Sequence, residues 1–177
     1  MAKIWIPITA LLLAAVVLLG VYNLTLPTAQ ANMEAELQAK MTQLLPGSTN
    51  FVAETYTGDD SNISYVYKGE TGYVIGTSTA GYAGTIQMLV GVSNEGSVTG
   101  LQVRQMEETY GLGANALTDW QFLAQFLRTQ GDAAVGQDID AITGATVTSK
   151  AITRSVNSAV AFVTGTDVDS GATSWGG

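Results

Sequence analysis

The sequence predicts an α+β protein: a single N-terminal transmembrane helix, followed by a domain with a mainly antiparallel sheet and flanking helices. Three observations carry this. From Ile4 through Met33 there is no charged residue. Between Phe51 and Met106 the apolar residues gather into short runs separated by Gly, Asn, Asp and Ser, the pattern of strands joined by turns. On both sides of those runs, apolar residues recur at helical spacing.

Taken in order, Ile4 to Leu24 is almost wholly apolar, close to the ~20 residues a helix needs to cross a bilayer. Pro7 falls in the first turn, where a missing N–H costs little, and Trp5 and Tyr22 bracket the run as interfacial aromatics do. Lys3 precedes the run, and Glu34 and Glu36 follow it. The positive-inside tendency therefore keeps the N-terminus cytoplasmic and places the C-terminal domain on the extracytoplasmic side of the cell membrane. Residues 1–31 are the anchor, with the lipid bilayer as partner. A cleaved signal peptide is the competing reading, since Ala29-Gln30-Ala31 has a small-x-small pattern, but the run exceeds the ~7–15 residues of a signal core. Both readings export the domain.

Residues 32–47 read as a juxtamembrane helix, with Met33, Leu37, Met41 and Leu44 on one side, Asn32 as its cap and Pro46-Gly47 as its stop. The domain proper spans 48–164. Its strands are expected at 63–68, 73–77, 85–92 and 98–106, with Gly69-Glu70-Thr71-Gly72 and Asn94-Glu95-Gly96 as hairpin turns. Thr118-Asp119-Trp120-Gln121 has capping-box form and opens a helix with Trp120, Leu123, Phe126 and Leu127 inward, closed by Gly131. A last helix should follow Ser149, with Ile152, Val156, Val160 and Val163 as its inward stripe. Residues 165–177 are Gly, Ser, Thr and Asp with one Trp and no hydrophobic period, which reads as a flexible tail.

Composition removes several function classes. The chain has no Cys and no His, so thiolate and imidazole metal sites, cysteine-bound iron–sulfur clusters and Ser/His or Cys/His nucleophiles are excluded. A redox centre here would have to be organic. With 7 Lys+Arg and a net charge of −8, the chain has no basic stripe for a nucleic acid.

The informative segment is Asp140-Ala141-Ile142-Thr143-Gly144-Ala145-Thr146, followed by Val147-Thr148-Ser149 and the last helix. It places Thr146 at a loop-to-helix junction, where free backbone N–H groups and a partial positive charge favour a phosphate. Gly144 and Ala145 leave room for a nucleotide to approach. The same residues also fit a plain Ser/Thr N-cap, and the local pattern leaves both readings open.

The spacing Asp140-x-x-Thr143-Gly144-Ala145-Thr146 resembles the flavinylation motif of the FMN-binding domain family. Gly81-Tyr82-Ala83-Gly84 looks like that family's Gly-Tyr-x-Gly segment, and Glu108-Thr109-Tyr110-Gly111-Leu112-Gly113 resembles its Glu-Thr-Pro-Gly-Leu-Gly loop. In order, spacing and anchor, the chain up to about Val163 is most similar to the Rnf G-subunit family, and the C subunits of sodium-translocating NADH:quinone oxidoreductases are longer relatives. The resemblance implies FMN held covalently as a phosphothreonyl ester on Thr146. Asp140, Ile142, Thr143, Gly144, Ala145, Val147 and Thr148 would surround the linkage. Gly81, Tyr82, Gly84, Glu108, Thr109, Leu112 and Gly113 would lie beside the flavin, although Gly81 and Gly84 serve equally as turn glycines. It also implies a flavin transferase for maturation, and membrane and iron–sulfur subunits of an Rnf-type complex as partners. The chain would then be an electron-transfer subunit of an ion-translocating ferredoxin:NAD+ oxidoreductase, with no catalytic acid or base and no metal of its own.

Tyr110 departs from the family's usual proline, and Met106-Glu107 from a more polar or basic pair. The tail segment Asp167-Val168-Asp169-Ser170-Gly171-Ala172-Thr173 repeats the motif spacing, so Thr173 is a second candidate acceptor. Only Thr146 precedes a helix that can hold a phosphate. Two other readings stand beside this one: an exported membrane-tethered flavoprotein of another reductase, and a flavin-free tethered binding module.

Overall fold

Alternation of apolar and polar residues sets the strands, and the computed structural model describes residues 2–106, 113 and 119–166, with backbone alone for 2–10 and 23–30. Five strands form one antiparallel sheet in chain order: β1 (Val52–Glu54), β2 (Ile63–Lys68), β3 (Gly72–Ala80), β4 (Thr85–Ser93) and β5 (Val98–Met106). The expected runs are therefore strands, and the sheet is antiparallel as the turn residues require. Gly69 N–H donates to Gly72 O at 2.9 Å in the β2–β3 turn, and Ser93 N–H donates to Ser97 O at 2.8 Å in the β4–β5 turn. The short β1 adds a strand at the edge, pairing Val52 with Lys68.

Helix α1 runs unbroken over Ala2–Leu44, so the segment expected at 32–47 is the end of one 43-residue helix and Asn32 lies inside it rather than capping it. The chain divides into two compact units, Met1–Ala39 and Lys40–Gly177. In the first, the apolar side chains from Leu11 to Val21 are 52–75% exposed. Among the described residues no helix is long and apolar enough to cross a membrane. In the second, Met41, Leu44 and Leu45 are buried.

That buried end of α1 sits on one face of the sheet, and α3 (Thr146–Thr164) sits on the other. Alternation along β4 separates the two layers: Ile86, Met88, Val90 and Val92 belong to the core shared with Ile152, Val156 and Val160 of α3. Gly91 points the opposite way, where a Cβ would strike the Leu44 carbonyl. The absence of a side chain lets that carbonyl reach the sheet and accept the Thr99 hydroxyl at 2.6 Å.

Helix α2 (Trp120–Ala124) differs from the expected one in length and in rotation. Asp119 caps it, its carboxylate accepting the N–H groups of Gln121 at 3.1 Å and Phe122 at 3.0 Å. The regular helix ends at Ala124, and Arg128 at φ 72° turns the chain away before Gly131 is reached. Phe122 and Phe126 are buried, while Trp120 is 72% and Leu127 44% exposed. The pair four residues apart stacks edge-on, with centroids 5.3 Å apart, and this aromatic contact decides which side faces inward.

The chain after α1 is tied down by one carboxylate. Glu70, in the β2–β3 turn, accepts the Thr49 N–H at 3.0 Å, the Asn50 N–H at 3.3 Å and the Asn50 side-chain amide at 3.2 Å. Its own backbone N–H, then the Asn50 amide and the N–H groups of Thr49 and Asn50, lower its carboxyl pKa to about 2. A depressed folded-state value means the stabilisation is complete above the ordinary value of 4.5 and is lost as pH falls from there towards 2. Thermal melts between pH 6 and pH 3 are expected to show a steeper acid loss for the native chain than for Glu70→Gln. Equal slopes would show that the clamp contributes nothing.

Candidate functional site

Helix α3 begins at Thr146, earlier than the sequence pattern suggests, and the loop before it is held at several points. Asn157 donates to Ala133 O at 2.9 Å, and the chain then makes a tight turn in which Gly136 N–H donates to Ile139 O at 2.8 Å. Buried Ile139 plugs this turn into the core. Ser149 closes the far side: its hydroxyl accepts the Ile142 N–H at 3.1 Å and donates to Ala145 O at 3.0 Å. Ala145 N–H donates to Ile142 O at 2.9 Å. The residues from Ile142 to Ala145 therefore form a small arch that ends on the first turn of α3.

The polar side chains in that arch do not cap the helix. The N-cap is Ala145, with no side-chain hydrogen bond to the first turn, so the N-cap alternative for this Thr-rich segment is not the one adopted. First-turn N–H groups lack intrahelical acceptors, and among the described residues no side chain supplies one. Thr146, Thr143 and Gly144 are exposed, while Ala145 is buried beneath them. Gly144 takes φ 77°, a left-handed conformation that glycine adopts without steric cost. Thr146 thus presents its side chain at the positive end of a 19-residue helix. These features fit an esterified phosphate: an accessible hydroxyl, uncapped donors and no bulky neighbour at position 144.

The remaining expected residues divide into groups. Asp140 is exposed, and Ile142 and Val147 are half-buried at the arch. Thr148 is 1% exposed, packed into the protein at the first turn of α3 and not presented at the surface of the arch. Gly81, Tyr82 and Gly84 form the β3–β4 turn, closed by Gly81 N–H donating to Gly84 O at 2.8 Å, with Tyr82 73% exposed. Gly113 is buried. Glu108, Thr109 and Leu112 lie outside the described residues, as do Tyr110 and Thr173.

Packing brings the β3–β4 turn and Thr146 to the same end of the layer. Tyr73 at the start of β3 meets Phe162 near the end of α3, with ring centroids 5.5 Å apart. At the other end of the strand, the Thr79 hydroxyl is 2.9 Å from the Ser155 hydroxyl and donates to Ala151 O at 3.3 Å. Strand and helix therefore run in opposite directions. The Gly81 turn lies beyond Thr79, and Thr146 lies beyond Ala151, at one end of the pair.

A groove of about 250 Å³ lies at the other end of α3, lined by Tyr56, Asp59, Asp60, Ser158 and Phe162 among others. Two carboxylates and the negative end of the helix dipole repel a phosphate there. Gln125 and Ser149 hold the motif loop, and sequence reasoning names neither as a site residue. Gln125 acts on the backbone of a residue 15 positions away and Ser149 on backbone groups four and seven positions away, and backbone targets leave no residue-type pattern to read.

The FMN-binding domain family matches residues 81–161, from the β3–β4 turn into α3. The chain is 31% identical over 159 residues to the G subunit of the proton-translocating ferredoxin:NAD(+) oxidoreductase complex of Clostridium ljungdahlii, covering 86% of this chain and 85% of that one. It is 34% identical over 174 residues to the G subunit of the ion-translocating oxidoreductase complex of Methanosarcina acetivorans, covering 88% and 92%. The G subunit of the Na(+)-translocating ferredoxin:NAD(+) oxidoreductase complex of Acetobacterium woodii is 41% identical over 98 residues, covering 50% and 47%. Residues 81–161 match the FMN-binding domain family, and the chain belongs to the family of G subunits of ion-translocating oxidoreductase complexes.

Proposed function

We propose that this chain carries FMN as a phosphoester on Thr146 and serves as an electron-transfer subunit of an Rnf-type membrane complex, coupling ferredoxin:NAD+ electron transfer to ion translocation. The observation that carries this is the exposed Thr146 at the uncapped start of α3. Bound FMN supplies the capacity to accept and donate electrons, which none of the described side chains offers. The protein's contribution is attachment and placement. The α3 N-terminus stabilises the phosphate charge, Gly144 leaves the approach open, and the β3–β4 turn stands beside the attachment point.

Attachment by a flavin transferase forms the bond between Thr146 Oγ1 and the FMN phosphorus. It breaks the bond from that phosphorus to the donor's leaving group, and the hydroxyl proton is lost. The flavin's redox state is unchanged in this step. In the same reading, α1 anchors the chain, and its exposed apolar side chains from Leu11 to Val21 are the ones a bilayer would cover. The domain is extracytoplasmic, and the membrane and iron–sulfur subunits of the complex are its partners. Relatives of similar likeness carry proton and sodium in their names.

Intact mass of the detergent-purified protein from its own host, with peptide mapping, tests the reading. The expected result is one FMN, less one water, on the peptide containing Thr146. A protein without flavin from a host that contains the transferase would leave the tethered binding module as the better account.

A further inference from the structure

We infer that Gln125 is the positioning residue of the flavinylation loop: by holding the backbone of Asp140 at both of its polar groups, it sets the first residue of the motif in the register the transferase reads. The inference rests on the reading of Thr146 as the FMN acceptor. Gln125 Oε1 accepts the Asp140 N–H at 2.7 Å, and Gln125 Nε2 donates to Asp140 O at 3.3 Å. One amide side chain thus satisfies both backbone groups of one residue, the pairing a neighbouring strand would provide.

The position of Gln125 makes this clamp stiff. It is the C-cap of α2, and its own N–H donates to Phe122 O at 3.3 Å. Buried Phe122 and Phe126 fix the backbone around it. Between Asp140 and Thr146 the chain is therefore fastened twice, by Gln125 at its entry and by Ser149 at Ile142. With its backbone held, Asp140 keeps its side chain exposed at the entry to the loop that carries Thr143 and Thr146, the loop an enzyme must find in one arrangement before it modifies Thr146.

Glutamine is required because one bond needs an acceptor and the other a donor. Glutamate at 125 has the same shape and accepts the N–H but cannot donate to the carbonyl, and leucine does neither. Native, Gln125→Glu and Gln125→Leu chains, each full length, are co-produced with the flavin transferase, and FMN occupancy of Thr146 is followed by intact mass after induction. Loss of both bonds is expected to slow flavinylation about tenfold in Gln125→Leu, with Gln125→Glu between it and the native chain. Thermal melts and hydrogen exchange at the Asp140 amide are read alongside. The expected signature is faster Asp140 exchange in Gln125→Leu with its melting temperature near native, because a merely structural role would change flavinylation only in proportion to lost stability. Native rates in Gln125→Leu would overturn this inference and leave the Thr146 reading intact. A native chain without flavin would overturn both.

Discussion

Thr146→Ala is expected to abolish covalent flavin and leave the fold unchanged. Thr146 opens α3 with an exposed side chain that makes no capping bond, so removing it costs within about 0.5 kcal/mol, as for an ordinary surface substitution. The chemistry, by contrast, needs an oxygen nucleophile at this position. Alanine has none, whereas Thr146→Ser restores a hydroxyl one methyl smaller and is expected to be flavinylated. In-gel flavin fluorescence after denaturation, intact mass and peptide mapping read the three proteins. Covalent flavin persisting in Thr146→Ala would transfer the site, and mapping would show whether it had moved to Thr173. Loss in Thr146→Ala with retention in Thr173→Ala would assign the single acceptor to the helix start.

The sheet is legible in the sequence because each strand ends in residues that say so. Gly69-Glu70-Thr71-Gly72 and Asn94-Glu95-Gly96 mark their hairpins, and the runs between them read at period two. Only the three-residue β1 escapes the pattern, since Val52–Glu54 is too short to show a period and all three of its residues are exposed. Helix α3 is legible from Ile152, Val156 and Val160, yet its first turn is not: Thr146 to Ser149 carries no apolar stripe and begins without a side-chain cap. The rotation of α2 differs from expectation because an exposed Trp120 and a buried Phe122 look alike in sequence, and tertiary packing chooses between them.

The candidate site shows the same division. The motif from Asp140 to Thr146 is contiguous and can be read at once, as can Gly81-Tyr82-Ala83-Gly84. Their placement at one end of the α3–β3 pair is not readable, because it depends on contacts such as Thr79 with Ser155, 76 positions apart. The clamp from Gln125 to Asp140 spans 15 positions and uses only backbone groups of its target, so no residue type at 140 reports it.

Phe126→Ala is expected to produce the largest loss of stability of any change considered, about 3–5 kcal/mol, the usual range for deleting a buried aromatic ring. Phe126 is fully buried, stacks on Phe122 and belongs to the core that joins α3 to the sheet. Its carbonyl accepts both the Thr129 N–H at 3.1 Å and the Thr129 hydroxyl at 2.7 Å. The chain is then hooked to the start of β5, where Val98 N–H donates to Thr129 O at 3.2 Å and Arg128 N–H donates to Val98 O at 2.9 Å. Losing the ring therefore loosens the segment that carries Gln125 as well as opening a cavity. Against a total stability of about 5–15 kcal/mol for a domain, such a loss takes a large share of what holds the fold. Urea unfolding is expected to show a midpoint about 2 M lower with an unchanged slope, and Phe126→Leu should recover part of the difference. A Phe126→Ala midpoint indistinguishable from native would mean the ring is not core. At urea concentrations where the variant remains folded, its flavinylation should still lag that of the native chain, because the backbone under Gln125 has lost its anchor.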